Sequence, residues 1–294
     1  MHGIRFKYGL LGLLALALIS YVGYRFYPVI TKVPSTDIDC SAASASRLAG
    51  FRVARVAHAG GGIGGDTYTN SIDALNKNFA RGFRYFELDF SLTADGQLVC
   101  LHDWERDFVR SFSVSPRGRL TLGEFLSLVN NHSRYQKCTL PSLARWMRAH
   151  PEAYIVTDVK DDDNLKALDL IRAALPNAGE RVIPQVYQPQ ELVPAAKKGF
   201  RQIIWMLYRY AGSPDDVISS VAEFSLQSVA APLAITMPRY LASKGLPEEL
   251  ARCGVPTFVH TINSPTEAAA FFSRGVSEVY TDFLAPCGEA AAGC

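Results

Sequence analysis

The sequence predicts an α/β fold, a TIM-type (β/α)8 barrel of parallel strands. From Phe51 onward, strand-like runs alternate with amphipathic helix-like segments, and repeated strand–helix units imply a parallel sheet. Counting the second and third runs as one interrupted strand leaves eight strands, the number that closes such a barrel. Charged residues follow several runs, and a barrel brings its strand ends to one mouth. The strand-like runs are 52–57, 84–90, 98–101, 153–159, 181–187, 201–207, 228–235, 256–262 and 278–281, and helix-like segments include 71–81, 165–175, 189–198 and 265–274.

Length and composition agree with one large domain and a short appendage. The chain has 294 residues, 48% of them hydrophobic and 20% charged, which is typical of a globular protein with a core. The formal net charge is +2, and no block of lysine or arginine is present. The sequence therefore argues against a nucleic-acid partner.

The N-terminus carries the most apolar segment of the chain. Tyr8 to Tyr24 contains no charged residue and follows Arg5 and Lys7. A helix of that length spans roughly 25 Å, slightly less than a hydrocarbon core of about 30 Å. We expect residues 1–30 to be an uncleaved transmembrane anchor, with a cleaved signal sequence as the alternative, and residues 31–50 to be a linker. The positive flank favours a cytoplasmic N-terminus, which would place the barrel outside the cytoplasm.

Six cysteines support the same location, since an even number permits full pairing in an oxidising compartment. None is part of a CxxC motif. The alternative is that Cys100 and Cys253 are small buried apolar residues. We therefore expect a periplasmic or cell-surface protein.

The segment from Arg55 to Trp104 contains most of the recognisable chemistry. Two apolar runs end in histidine, at His58 and His102. Between them, Glu87 and Asp89 are two residues apart in a predicted strand, so they project to one face. Two neighbouring carboxylates repel each other unless a cation offsets their charge, and a hard metal ion with oxygen ligands would do so.

These motifs resemble the glycerophosphodiester phosphodiesterase family, whose members are metal-dependent enzymes on a TIM-type barrel. The family pattern is His-Arg-Gly, Glu-Asn-Thr, Glu-x-Asp, Thr-x-Asp-Gly and His-Asp. Here the matching segments are His58-Ala59-Gly60, Thr69-Asn70-Ser71, Glu87-Leu88-Asp89, Thr93-Ala94-Asp95-Gly96 and His102-Asp103. Ala59 stands in place of an arginine and Thr69 in place of a glutamate, which leaves the substrate open.

The resemblance implies a role for each matching residue. His58 and His102 would transfer protons, while Glu87 and Asp89 would bind one divalent cation, Ca²⁺ or Mg²⁺. Later in the chain, Asp158-Val159-Lys160 matches a Glu-x-Lys motif. Asp158 would then be the third metal ligand and Lys160 a phosphate contact, although Asp158 could instead cap a helix.

Two further residues are candidates for substrate binding under the same resemblance. Asn70 lies in the second motif, and His260 ends a late strand where the family commonly has tryptophan. A lone histidine at a strand end more often fills space. The implied reaction is attack by the neighbouring hydroxyl on phosphorus, which gives a cyclic phosphate that water opens.

Residues 104–138 form an expected insertion within a barrel of residues 51–286, followed by a tail at 287–294. Two similar phrases occur here, at 120–124 and 139–143. We assign the second to the start of the helix after the second barrel strand. The first then belongs to the insertion, either a small helical lid or a plain surface excursion.

The glycine run at residues 60–65 lacks the Gly-Lys-Ser/Thr ending of a phosphate loop, so we expect it to allow a sharp turn beside the site.

Three other functions remain open at this point. A phospholipase D of the sphingomyelinase type has a similar arrangement of histidines and carboxylates and would act on lipid head groups. A non-catalytic anchored protein could bind a phosphorylated ligand, although it would not need both histidines. A structural membrane-proximal module would not need clustered charges at strand ends.

Overall fold

The computed structural model describes residues 50–128, 135–162, 164–227 and 232–286. The predicted anchor at 1–30, nearly all of the linker and the tail at 287–294 lie outside these ranges. Across the described ranges, we find no helix with the length and apolar character needed to cross a membrane.

Eight parallel strands close into a barrel in the described chain. The first strand pairs with both the second and the last, through Val56 opposite Tyr85 and Val56 opposite Tyr280. A ninth strand, β3, pairs outside the barrel. The strands are β1 (Val56–Ala57), β2 (Tyr85–Leu92), β3 (Leu98–Cys100), β4 (Tyr154–Val159), β5 (Val182–Val186), β6 (Ile203–Met206), β7 (Leu233–Pro238), β8 (Thr257–His260) and β9 (Glu278–Thr281).

The prediction that 84–90 and 98–101 form one interrupted strand is wrong. β3 runs antiparallel to β2, with Phe90 opposite Cys100. The chain reverses in a tight turn in which the Gly96 amide donates to the Thr93 carbonyl at 3.0 Å, and Gly96 adopts a φ of +73°. The predicted number of barrel strands is nevertheless right, because eight other strands close the barrel.

Helices connect most of the strands, and several begin at a capping side chain. Ser71, Thr139, Ser213 and Ser264 each accept a hydrogen bond from the backbone amide three residues ahead. The helices are α1 (Ile72–Ala80), α2 (Arg106–Phe112), α3 (Leu122–Ser127), α4 (Leu140–Ala149), α5 (Asn164–Ala174), α6 (Ala178–Arg181), α7 (Leu192–Lys197), α8 (Pro214–Leu226), α9 (Arg239–Ala242), α10 (Leu246–Arg252) and α11 (Pro265–Phe272). Short 3₁₀ turns occur at His58–Gly60, Pro189–Glu191 and Leu207–Arg209.

The segment between β3 and α4 contains the two short helices α2 and α3. Phe108, Phe112 and Phe125 from these helices pack with Val99 and Leu101 in a separate apolar cluster. A disulfide between Cys100 and Cys138 joins β3 to the residue just before the α4 cap. Cys253 is also disulfide-bonded, so neither Cys100 nor Cys253 is merely an apolar filler.

The inward face of the barrel has an apolar floor and, nearer the mouth, a layer in which seven of the eight side chains are polar. The floor is one buried cluster with a side chain from each of the eight barrel strands. Side chains two residues further along share the same inward face and lie nearer the mouth. The floor consists of Val56, Tyr85, Val156, Ile183, Ile204, Ala234, Phe258 and Tyr280, and the layer above it of His58, Glu87, Asp158, Gln185, Met206, Thr236, His260 and Asp282.

Candidate active site

Three buried carboxylates meet at the mouth of the barrel. Glu87 and Asp89 project inward from β2, and Asp158 on β4 lies opposite Asp89 in the strand pairing. One ligand oxygen from each lies within 4.8 Å of the others. The Lys160 ammonium group contacts Asp89 at 2.8 Å and Asp158 at 2.7 Å. The structure thus brings together the three predicted metal ligands and the predicted phosphate-contacting lysine.

Neighbouring polar groups fix two of these carboxylates. The Asn70 amide donates to Asp89 at 2.7 Å and accepts from the Asp89 backbone amide at 2.9 Å. The Tyr187 hydroxyl donates to Asp158. Asn70, predicted as a substrate contact, therefore lies behind Asp89 and orients it.

Only one of the two carboxylate oxygens of Glu87 has a hydrogen-bond partner among the described residues. Its Oε2 accepts from the Ala59 amide at 2.7 Å, whereas its Oε1 is buried and has no hydrogen-bond partner among the described residues. Burial, together with the negative charge of Asp89, raises the pKa of Glu87 to about 8. A buried carboxylate oxygen without a partner is costly, and a cation would satisfy it. The residues present therefore fit a hard divalent cation with oxygen ligands.

His58 is paired with Asp282, a carboxylate outside the sequence motifs. Its Nδ1 lies 2.9 Å from Asp282, and its Nε2 lies 4.0 Å from Glu87. Burial acts to lower the pKa of His58, but the hydrogen bond to Asp282 and the charge of Glu87 outweigh it and raise the pKa to about 9. Without a bound cation, these carboxylates therefore favour the protonated form of His58.

His102 has a similar carboxylate arrangement. Its Nδ1 lies 2.9 Å from Asp107 and 3.0 Å from Asp103. Burial again acts to lower the pKa, and the hydrogen bond to Asp107 raises it above the ordinary value. Asp107 belongs to α2, so the inserted segment supplies part of this pair. Arg110 contacts the other oxygen of Asp107 at 2.9 Å.

The Tyr68 ring lies between the two histidines. Its centroid is 4.6 Å from that of His58 and 5.5 Å from that of His102, both nearly perpendicular. Tyr68 therefore contacts both of the predicted proton-transfer residues.

His260 lies on the inward face of β8, further from this centre. Its Nδ1 hydrogen-bonds the Thr236 hydroxyl at 3.0 Å. Burial, followed by the positive charge of His58, lowers the pKa of His260 to about 4. The neutral ring can donate or accept a hydrogen bond but brings no charge to the mouth.

Residues 61–198 match the model of the Glycerophosphoryl diester phosphodiesterase family. The chain carries a domain of this family. The family consists of phosphoric diester hydrolases, so the chain is an enzyme of that class, and the resemblance found in the sequence motifs is confirmed. The matched segment includes the three clustered carboxylates, His102 and Lys160. No match was found among curated proteins.

Several solved structures share the fold. A phosphodiesterase of Oleispira antarctica, solved with its product sn-glycerol-3-phosphate, is 15% identical, with 82% of this chain and 95% of that chain covered and a TM-score of 0.60. A glycerophosphodiester phosphodiesterase of Thermotoga maritima is 20% identical, with 79% and 96% covered and a TM-score of 0.57. A glycerophosphoryl diester phosphodiesterase of Parabacteroides distasonis is 16% identical, with 82% and 87% covered and a TM-score of 0.60. These likenesses confirm the predicted barrel.

Three residues of the site had weak or no signals in the sequence. Asp282 lies two residues after Tyr280, which points into the barrel. Since strand side chains alternate between the two faces, this spacing alone would have placed Asp282 at the mouth. Asp107 and Tyr68 have no comparable signal, because a helix in an insertion and a loop position carry no strand register.

Within the glycine run, Gly62 is packed closely against the segment that follows β9. A Cβ at Gly62 would lie 2.2 Å from the Phe283 ring, and the Gly62 amide donates to the Asp282 carbonyl at 2.8 Å. A side chain at Gly62 would thus displace the segment that holds Asp282 beside His58. The expected sharp turn is seen instead in the positive φ angles of Gly60 and Gly61, +84° and +86°.

We predict that Asp282→Asn destabilises the metal-free protein in a pH-dependent way. The folded-state pKa of His58, about 9, is above its ordinary value of 6.5. Stability from protonated His58 is therefore complete below pH 6.5 and lost as the pH rises through 9. The variant should lose about 1.5–3 kcal/mol at pH 6 and clearly less at pH 10, as measured by urea unfolding with chelator.

Asp169→Asn is the control, since Asp169 is an exposed partner of Lys198 and should show a small, pH-independent change. An equal loss from Asp282→Asn at both pH values would contradict the proposed charge interaction.

Proposed function

We propose that this enzyme hydrolyses a glycerophosphodiester to a glycerol phosphate and an alcohol, with one divalent cation and two histidines that transfer protons. The observation that supports this most directly is the Oε1 atom of Glu87, which is buried in the carboxylate cluster without a hydrogen-bond partner among the described residues. Two histidines, each with its own carboxylate partner, contact the Tyr68 ring beside this cluster. The sn-glycerol-3-phosphate held by the Oleispira antarctica enzyme supports the substrate class.

Glu87, Asp89 and Asp158 would hold the cation. When bound, it supplies positive charge next to a phosphate oxygen and lowers the pKa of a nearby substrate hydroxyl. Three carboxylates and no sulfur ligand favour Ca²⁺ or Mg²⁺.

The histidines would divide the proton transfers. The glycerol hydroxyl next to the ester attacks phosphorus and gives its proton to one histidine. The bond from phosphorus to the leaving alcohol breaks, and the other histidine donates a proton to that oxygen. Water then opens the cyclic phosphate with the two roles reversed. Asp282 holds the Nδ1 side of His58, and Asp103 and Asp107 hold that of His102, which leaves each Nε2 for the transfers.

Lys160 would stabilise the negative charge that develops on the phosphate oxygens. Although burial opposes it, the charges of Asp158 and Asp89 raise the pKa of Lys160 well above its ordinary value. The ammonium group therefore stays charged throughout the reaction.

A direct activity assay tests this proposal. Chelated protein should not cleave an sn-glycero-3-phosphodiester, and addition of Ca²⁺ or Mg²⁺ should produce sn-glycerol 3-phosphate, followed by ³¹P NMR. Hydrolysis of sphingomyelin or a lysophospholipid with no action on the glycerophosphodiester would favour the phospholipase D alternative. Absence of turnover with either metal on all these substrates would favour a binding protein.

We further predict that His58→Asn and His102→Asn each lower turnover by about 10²–10⁴-fold, because each removes one proton transfer. The two losses should not multiply, since both groups act in one relay. A nitrophenyl ester needs little protonation as it leaves, so it should rescue the variant that lacks the general acid and leave the other impaired.

The matched control is His150→Asn. His150 follows α4 and stacks on Trp146 away from the mouth, so turnover should remain near that of the wild type. Equal rescue of both site variants by the nitrophenyl ester would argue against divided roles.

We also propose that an N-terminal anchor places the barrel outside the cytoplasm. The disulfide between Cys100 and Cys138 supports an oxidising compartment. A C-terminal reporter that is active only after disulfide formation outside the cytoplasm should be active when fused to the full chain and inactive after deletion of residues 1–30. Equal activity of the two fusions would overturn this location.

A further inference from the structure

The cations at the barrel mouth differ in whether a carboxylate already neutralises them. Lys160 contacts Asp89 and Asp158, and Arg239 contacts Glu267 at 2.9 Å. Arg209 is different, because no carboxylate of the described chain lies within salt-bridge distance of its guanidinium. The charge of Asp158 acts on Arg209 from a longer distance, but no carboxylate of the described chain occupies the position of a direct ion-pair partner.

Arg209 ends the 3₁₀ turn that follows β6, at the carboxyl end of the barrel. Its Cζ lies 4.5 Å from the Tyr187 ring centroid and 5.4 Å from that of Tyr208. One terminal nitrogen, Nη2, donates to the Lys160 carbonyl at 3.3 Å. The two rings and this carbonyl hold the guanidinium in place before any ligand binds.

The same contacts connect Arg209 to the carboxylate cluster. The Tyr187 hydroxyl donates to Asp158, and the Lys160 ammonium group lies 5.8 Å from the Tyr208 ring centroid. One aromatic side chain therefore links the guanidinium to the Asp158 carboxylate, and another links it to the Lys160 ammonium group.

The guanidinium also has unused donors. It offers five N–H groups, and the described residues supply two acceptors, the Lys160 carbonyl and the Tyr208 hydroxyl. A half-buried cation without an anion is unfavourable, and the planar guanidinium matches the oxygens of a phosphate. Tyr208 is 40% exposed, so a ligand at the mouth can reach this wall.

We propose that Arg209 binds the phosphate group of the substrate, as a second cation beside Lys160. This inference rests on the proposed phosphodiesterase function. It assigns the wall formed by Tyr187, Tyr208 and Arg209 to phosphate recognition, opposite the two histidines in the order of strands around the barrel.

The test compares Arg209→Gln and Arg209→Lys with the control Arg239→Gln, an arginine on the same face that already has a carboxylate partner. Inorganic phosphate is the probe, with its dissociation constant measured by calorimetry in the presence of Mg²⁺. Charge-assisted hydrogen bonds predict that Arg209→Gln weakens phosphate binding by about ten- to a hundredfold. Arg209→Lys should lose less, because it keeps the charge without the planar fork, and Arg239→Gln should stay within about twofold.

Kinetics on the phosphodiester give a second readout. Arg209→Gln should raise KM and the inhibition constant of phosphate together, and added guanidinium should restore part of the loss. Thermal unfolding checks that each variant is folded. Phosphate binding by Arg209→Gln equal to that of the control, or absence of guanidinium rescue, would overturn the assignment of Arg209.

The calorimetry separates this inference from the proposed function. If the wild type cleaves no phosphodiester but binds phosphate through Arg209, the hydrolase proposal fails and the phosphate-binding role stands. If the wild type is active and Arg209→Gln behaves like the control, the hydrolase proposal stands and the phosphate-binding role of Arg209 fails.

Discussion

The concentration of negative charge at the barrel mouth is the constraint on which the rest of this site depends. Two unit charges about 4 Å apart repel by roughly 4 kcal/mol at an effective dielectric constant of about 20. If all three carboxylates were ionised, they would form three such pairs, because their ligand oxygens lie within 4.8 Å of one another. Their combined repulsion is comparable with the whole stability of a typical domain, about 5–15 kcal/mol. The fold therefore has to supply compensation.

The structure supplies this compensation from several elements at once. Lys160 contributes a full positive charge, and Asn70 and Tyr187 contribute hydrogen bonds to Asp89 and Asp158. Glu87 remains the least compensated, with a raised pKa and one oxygen without a partner in the described chain. The same negative charge favours the protonated form of His58. The metal site and the acid–base pair are thus electrostatically coupled, and a change in one should alter the other.

The sequence predicts those parts of the site that follow strand register. Period-two alternation placed Glu87 and Asp89 on one face, and the matching Asp-x-Lys motif placed Asp158 and Lys160 at the next strand end. The direction of β3 could not be predicted in this way, because a short apolar run after a turn can either continue a strand or reverse it. The partnership of His102 with Asp107 depends on how the inserted helices pack, which local patterns do not determine. Arg209 has no signal in the sequence, since its significance lies in the absence of a nearby carboxylate in the described chain.

The central claim is that Glu87, Asp89 and Asp158 bind one divalent cation. The most direct measurement is an anomalous difference map from crystals soaked in Mn²⁺. We predict a peak within bonding distance of an oxygen from each of these three carboxylates. The group formed by His102, Asp103 and Asp107 is the competing location, since its ligand atoms are also close together. A peak at that group with none at the three carboxylates, or no peak at either, would contradict the account.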